Sequence, residues 1–183
     1  TVDLSFSLYG DDSANYRINT APATGSINPR PVTVSGVFGK EYDATVNLVS
    51  ELTINNLVAG DEADVAVTGA YSTANAGAVT LNLSLTGAKA ANYSLTNNAI
   101  AATIAQKVIT ISVDGLGLTK VYDGSAFVKP VTADMVYGLV EGGAYTFMGT
   151  ISTSDKYVAD AKAIALDGFK VLDNGADVTA NYS

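Results

Sequence analysis

The chain contains no cysteine, no histidine and no tryptophan among its 183 residues, and only 4 prolines and 2 methionines. Without cysteine there is no disulfide framework and no thiol nucleophile. Without histidine, the side chain that titrates nearest neutral pH and the commonest transition-metal ligand is missing. These absences argue against an ordinary hydrolase or a zinc enzyme. Positive charge is also scarce, with 10 Lys+Arg against 18 Asp+Glu and a net charge of −8. The isoelectric point is near 4.3. Binding to nucleic acid needs a basic stripe, and here the cations are few and dispersed, so neither nucleic acid nor a membrane surface is expected as a partner. No run of about 18 apolar residues occurs, and the first residues lack a basic segment followed by an apolar one. Neither a membrane-spanning helix nor a signal peptide is expected in this segment, and if the protein is exported its signal lies elsewhere in a longer chain.

Repetition takes the place of the missing chemistry. Val2-Asp3-Leu4-Ser5-Phe6-Ser7-Leu8 aligns with Val79-Thr80-Leu81-Asn82-Leu83-Ser84-Leu85, and the offset 79 − 2 = 77 persists from Ala14-Asn15-Tyr16 to Ala91-Asn92-Tyr93. Lys40-Glu41-Tyr42-Asp43 matches Lys120-Val121-Tyr122-Asp123 at 120 − 40 = 80, and Ala91-Asn92-Tyr93-Ser94 matches Ala180-Asn181-Tyr182-Ser183 at 180 − 91 = 89. Small insertions in loops explain the drift. The organisation read from this is the C-terminal part of a preceding repeat (residues 1–30), a complete unit (31–107) and a second unit (108–183). That second unit lacks the counterpart of Ala99-Ile100-Ala101-Ala102-Thr103-Ile104. It is expected to miss its last strand unless the N-terminal tail or a neighbouring chain supplies one.

Within each unit apolar and polar residues alternate with period two, as in Val79, Leu81, Leu83 and Leu85 or Ile109, Ile111 and Val113. Such alternation reads as strands with one buried face. Residues 2–8 read the same way, and 65–68 and 163–166 are shorter candidates. Turn residues separate these segments, and only 45–52 and 132–139 offer a short helix. The expected fold is all-β or mainly β: tandem small β-sandwich-like (Ig-like) or β-grasp-like units placed end to end. The Pro-containing connector at residues 27–31, and its counterpart at 104–107, suggest a semi-rigid rod.

Three features recur: a Lys-x-Tyr-Asp turn, a Gly-Asp or Gly-Gly turn, and an Asn-Tyr near the end of each unit. Lys120-Val121-Tyr122-Asp123-Gly124-Ser125, with Asp160-Ala161-Lys162 and Val178-Thr179-Ala180-Asn181-Tyr182-Ser183, resembles the YDG and MBG repeats of large bacterial surface proteins, filamentous-haemagglutinin-like adhesins among them. The middle unit resembles them through Lys40-Glu41-Tyr42-Asp43, Leu57-Val58-Ala59-Gly60-Asp61, Asn75-Ala76-Gly77 and Gly87-Ala88-Lys89-Ala90-Ala91-Asn92-Tyr93. It departs at Ala44, where the family usually has Gly, and the turn there is expected to avoid positive φ. The resemblance implies a non-enzymatic repeat of a secreted or surface-attached bacterial adhesin, whose partners are neighbouring repeats and a host glycan or surface protein.

Each recurring residue has a structural reading beside a sharper one. Tyr42, Tyr93, Tyr122 and Tyr182 read as core or corner residues whose hydroxyls tie down loops. Asp43 and Asp123 read as turn residues accepting backbone N–H groups. Asp61, Glu62 and Asp64, with Asp11 and Asp12, offer oxygen ligands for Ca²⁺, against a default of solvated turn acids. No other cofactor is expected. Lys40 with Asn92, and Lys120 with Asn181, present the residues of an isopeptide bond assisted by Asp43 or Asp123, which would release one ammonia each. For function, a stalk or spacer that presents a binding region competes with a module that itself binds, through residues such as Tyr71, Tyr137, Tyr145 and Phe147.

Overall fold

The computed structural model describes residues 5–19, 25–159 and 162–183. Alternation decides where its strands lie. On β5 (Gly77–Thr86), Val79, Leu81 and Leu83 are buried while Thr80, Asn82 and Ser84 face outward. The other strands of the middle unit are β1 (Arg30–Gly36), β2 (Lys40–Glu41), β3 (Leu52–Asn55), β4 (Ala66–Tyr71), β6 (Tyr93–Leu95) and β7 (Ala99–Ala105). They form two sheets, ordered β3-β1-β6 and β2-β7-β5-β4. Val34 of the first sheet shares a core with Leu81, Leu83 and Ile104 of the second, so the two sheets bury their apolar faces against each other. A second cluster joins Val32, Val65 and Tyr93. This is the sandwich alternative. A β-grasp needs a helix laid across the sheet, and the described residues hold only three-residue 3₁₀ turns.

The next unit contains β8 (Thr110–Ile111), β9 (Val128–Pro130), β10 (Val136–Tyr137), β11 (Tyr145–Thr153), β12 (Ile164–Asp173) and β13 (Ala176–Asp177). Its sheets are ordered β10-β8 and β13-β12-β11-β9, around a core of Val131, Met135, Val136 and Ile151. The chain as a whole is mainly β.

Four expectations change. Residues 45–51 are not helical: Asn47 bridges Ala70, and β3 starts at Leu52. In 132–139 a single 3₁₀ turn (Ala133–Met135) leads into β10, because Met135 and Val136 are both drawn into the core. Residues 5–8 form no strand, since alternation without a partner among the described residues leaves the backbone unpaired; residues 2–4 of that segment lie outside them. The connectors are not linkers either. β1 begins at Arg30, β7 runs to Ala105, and Lys107 already bridges Tyr182, leaving Gln106 alone between the units.

The two long strands differ in their partners. β5 is paired along one edge by β4 and along the other by β7. β12 is paired by β11 along one edge; along the other it pairs with β13 at Leu172 and Asp173, and Val171 bonds the Val178 N–H and the Thr179 hydroxyl. Residues 5–19 and 25–29 of the N-terminal tail supply no strand to it; residues 20–24 of that tail lie outside the described ones.

Candidate functional site

The Lys-x-Tyr-Asp turn is built the same way twice. Asp43 Oδ1 accepts the Thr45 N–H and the Thr45 hydroxyl, both at 2.9 Å. Asp123 Oδ1 accepts the Ser125 N–H at 2.9 Å and the Ser125 hydroxyl at 2.8 Å. A short side chain that bonds the backbone two residues on is a local device, so both copies have it. The residue after Asp takes the left-handed conformation in both, Ala44 at φ 61 and Gly124 at φ 83. The expectation that Ala44 avoids positive φ is therefore overturned: the Asp43 bonds and the pairing of β2 hold the backbone there despite the Cβ.

The lysines close these turns. Lys40 Nζ donates to Asp43 at 2.5 Å and to the Thr45 carbonyl at 2.8 Å, lies 5.1 Å from the centre of the Tyr71 ring, and has a side chain only 2 % exposed. Lys120 Nζ reaches Asp123 at 2.8 Å and the Ser125 hydroxyl at 2.6 Å, with its side chain 30 % exposed. Burial pushes the Asp43 carboxyl up, but the bonds from Lys40 and Thr45 outweigh it and hold the group below the ordinary range. Lys120 and Ser125 pull Asp123 down to about 2. The tyrosines diverge: Tyr42 is 5 % exposed and Tyr122 58 %.

The three candidate ligand acids do not converge on a vacant point. Lys89 Nζ lies 2.6 Å from Asp61 and 2.9 Å from Asp64, while Glu62 Oε2 accepts the Gly60 N–H at 2.8 Å. Tyr93 donates its hydroxyl to Asp61 at 2.6 Å and accepts the Val58 N–H at 3.1 Å, the loop tie expected of it. Lys89, then Tyr93, hold the Asp61 carboxyl below its usual range. Asp11 and Asp12 sit apart, in an exposed turn. Among the described residues no three acidic side chains are grouped so as to hold a metal ion.

The Asn-Tyr motif reaches across the junction between units. In each copy the Asn ends a 3₁₀ turn (Ala90–Asn92 and Thr179–Asn181) and the Tyr that follows is paired with distant backbone, Tyr93 with Arg30 of β1 and Tyr182 with Lys107 in an isolated bridge. Asn181, buried, accepts the Ala76 N–H at 2.8 Å and donates to Asn75 Oδ1 at 3.3 Å. Tyr182 stands edge-on to Tyr42 with ring centres 5.3 Å apart, and its hydroxyl meets that of Tyr145 at 3.1 Å. Gln106 Nε2 donates to the Ala180 and Tyr182 carbonyls at 3.0 and 3.1 Å, and Lys107 reaches Glu41 at 2.8 Å. The β4–β5 turn of one unit thus receives the Asn of the next. Asn92 is exposed.

Neither Lys–Asn pair is brought together. Lys40 is held by Asp43, Thr45 and the Asn47 carbonyl, and Lys120 by Asp123, Ser125 and the Ala126 carbonyl. Asn92 faces solvent and Asn181 faces the previous unit. Of the aromatic binding candidates, Tyr71 is buried with its hydroxyl on the Phe38 carbonyl, Tyr145 joins Tyr182, and Phe147 stacks on Phe169. Tyr137 is exposed. Sequence reasoning missed Gln106 and the Asn75–Ala76 acceptor turn. That turn was legible as a turn but carried no signal that anything docks on it.

No helix among the described residues is long and apolar enough to cross a membrane. No curated protein and no solved structure matches the chain. The model of one family does match it, over the stretch that spans β1 to the start of β7 and holds Lys40, Tyr42, Asp43, Asn92 and Tyr93. That family is the YDG domain, and its model matches residues 28–101.

Proposed function

We propose that the chain is a non-enzymatic stalk or spacer segment of a bacterial surface adhesin, working outside the cell to extend or present a binding region. The observation that carries this reading is the junction. One residue, Gln106, separates two units that are also locked by Asn181 on the Asn75–Ala76 turn and by Tyr182 on Tyr42. A connection this short, with its side-chain amide bonded to the next unit, resists bending in a way that a flexible linker does not. The negative net charge suits a chain of many strand edges that must stay soluble. The recurring acids Asp43, Asp61 and Asp123 are tied to lysines and turn N–H groups. Small-angle scattering on the chain tests the reading: one fixed angle between units is expected, and a broad spread of angles overturns it.

A second reading, binding by the units themselves, is favoured by one feature. A groove of about 890 Å³ runs between β3 and β4, lined by Leu48, Leu52, Ile54, Val67 and the acids Glu51 and Glu62. Screening against host glycans and matrix proteins separates the two readings, since saturable binding that Leu52→Asp abolishes would replace the spacer.

A further inference from the structure

We propose that the middle unit is a mechanical clamp: its opening segment, residues 30–42, and its closing segment, residues 93–105, lie side by side in parallel, so that tension along the chain is carried in shear. The clamp deepens the stalk reading, on which it rests only for the direction of the load.

The two segments keep almost one register over their whole length. Arg30, Pro31 and Val32 of β1 pair in parallel with Tyr93, Ser94 and Leu95 of β6, a separation of 93 − 30 = 63. Lys40 and Glu41 of β2 pair in parallel with Ile104 and Ala105 of β7, at 104 − 40 = 64. Other groups continue the contact between these patches. The Thr96 N–H donates to the Val32 carbonyl at 3.0 Å, and the Asn97 amide both accepts the Val34 N–H at 2.9 Å and donates to the Val34 carbonyl at 2.8 Å. Gly39 runs so close to the partner segment that a Cβ on it would stand 2.8 Å from the Thr103 carbonyl oxygen. The Tyr42 N–H ends the run on the Ala105 carbonyl at 2.9 Å. Both segments are also anchored by burial, Val34 and Ile104 in one core cluster and Val32 and Tyr93 in another.

Direction decides what such a pairing bears. A load along the chain enters at Arg30 and leaves after Ala105, at opposite ends of a parallel pair, and drives the segments past each other. The bonds that cross between them are then strained together and must fail together. In the β4–β5 hairpin both ends leave from the same side, and its bonds would open one after another. That hairpin lies between the two segments in the chain, so tension reaches it only once the clamp has opened. The next unit begins with the same geometry. The Lys107 N–H donates to the Asn181 carbonyl, the Ser183 N–H to the Lys107 carbonyl and the Ile109 N–H to the Ser183 carbonyl, each at 3.0 Å around a parallel bridge. With Gln106 alone between them, load passes from one parallel pairing to the next through no slack segment.

The test pulls on the whole chain through single-molecule handles, which the absence of native cysteine makes site-specific. Asn28→Cys with Ala105→Cys loads the middle unit in shear, whereas Asn28→Cys with Asn92→Cys pulls on one end of the pair and peels it; all three positions are exposed. At the same pulling speed the first arrangement should rupture at the higher force, and equal or reversed forces overturn the proposal. As a second measurement, Asn97→Ala should raise the unfolding rate under a fixed load on residues 28 and 105 about tenfold, by removing both bonds to Val34. Val67→Ala, on β4 outside the clamp, should leave that rate nearly unchanged while lowering stability to urea. Loaded rates that follow the urea costs of the two variants, whichever strand carries the substitution, overturn the proposal as well. Equal rupture forces together with one fixed angle between units in scattering would remove the clamp and leave the stalk.

Discussion

Residues 31–107 and 108–183 contain the same Lys-x-Tyr-Asp turn, yet one copy is buried and the other stands in solvent. Lys40 and Tyr42 are sealed, whereas Lys120 and Tyr122 are open. The carboxylate bonds to Thr45 and Ser125 are nearly identical, so the turn itself does not account for the difference. What differs is what packs against each turn: β7 pairs with β2 at Lys40, Tyr71 lies over the Lys40 ammonium, and Tyr182 of the next unit stands edge-on to Tyr42. A motif's hydrogen bonds are local properties, and its burial belongs to residues far along the chain.

The comparison can be broken most directly in the core. Leu81→Ala should cost about 3–4 kcal/mol of stability, because the side chain is fully enclosed and leaves a cavity. Leu166→Ala should cost less than about 1 kcal/mol, since much of that side chain is already wet. Urea unfolding of both variants checks this, and equal costs would mean that the two strands are equally covered in solution. Next in size, Lys40→Ala should cost about 2 kcal/mol, because the enclosed lysine takes with it the bonds to Asp43 and the Thr45 carbonyl and leaves a cavity beside Tyr71. Lys120→Ala should barely move the melting curve, as solvent replaces an exposed pair.

The junction gives a third pair. Asn181→Ala strips the Ala76 N–H of its acceptor and should cost about 1–2 kcal/mol, with the two units melting more independently in calorimetry. Asn92→Ala, at an exposed site, should change neither. A fourth pair concerns backbone alone. Gly124→Ala should destabilise by about 1 kcal/mol, and Ala44→Gly should stabilise by up to about 0.5 kcal/mol, since relief of the left-handed strain exceeds the entropy that glycine adds to the unfolded chain.

The smallest effect is electrostatic. The Asp123 carboxyl stands near 2 when folded, against an ordinary 3.8, so its ionised form favours the folded state. Its contribution is complete above 3.8 and disappears as the pH falls through about 2. Asp123→Asn should therefore flatten the stability profile of the second unit in that window and nowhere else, which a series of acid-titrated melting curves would show.

Much of this was legible from residue order. Alternation located β5, β8 and the first residues of β4 and β12, and the Asx turns at Asp43 and Asp123 were recognisable. The helix expected at 45–52 failed because the backbone of Asn47 is claimed by Ala70 on β4. The Lys–Asn pairing failed for a related reason: recurrence of two residues in each unit says nothing of whether both face the same interior. Asn181 is kept by its bond to the previous unit, a role that no alignment of one unit on another displays.

The sequence by itself determined the repeat, the faces of the strands and the chemistry of the turns, because each depends on neighbours a few residues away. Only the tertiary structure decided which lysine and which tyrosine are buried and what the Asn-Tyr motif joins. Those outcomes rest on pairings between distant positions, Lys40 with Ile104 and Asn181 with Ala76. Burial is set by what arrives from elsewhere in the chain, which no turn motif specifies by itself.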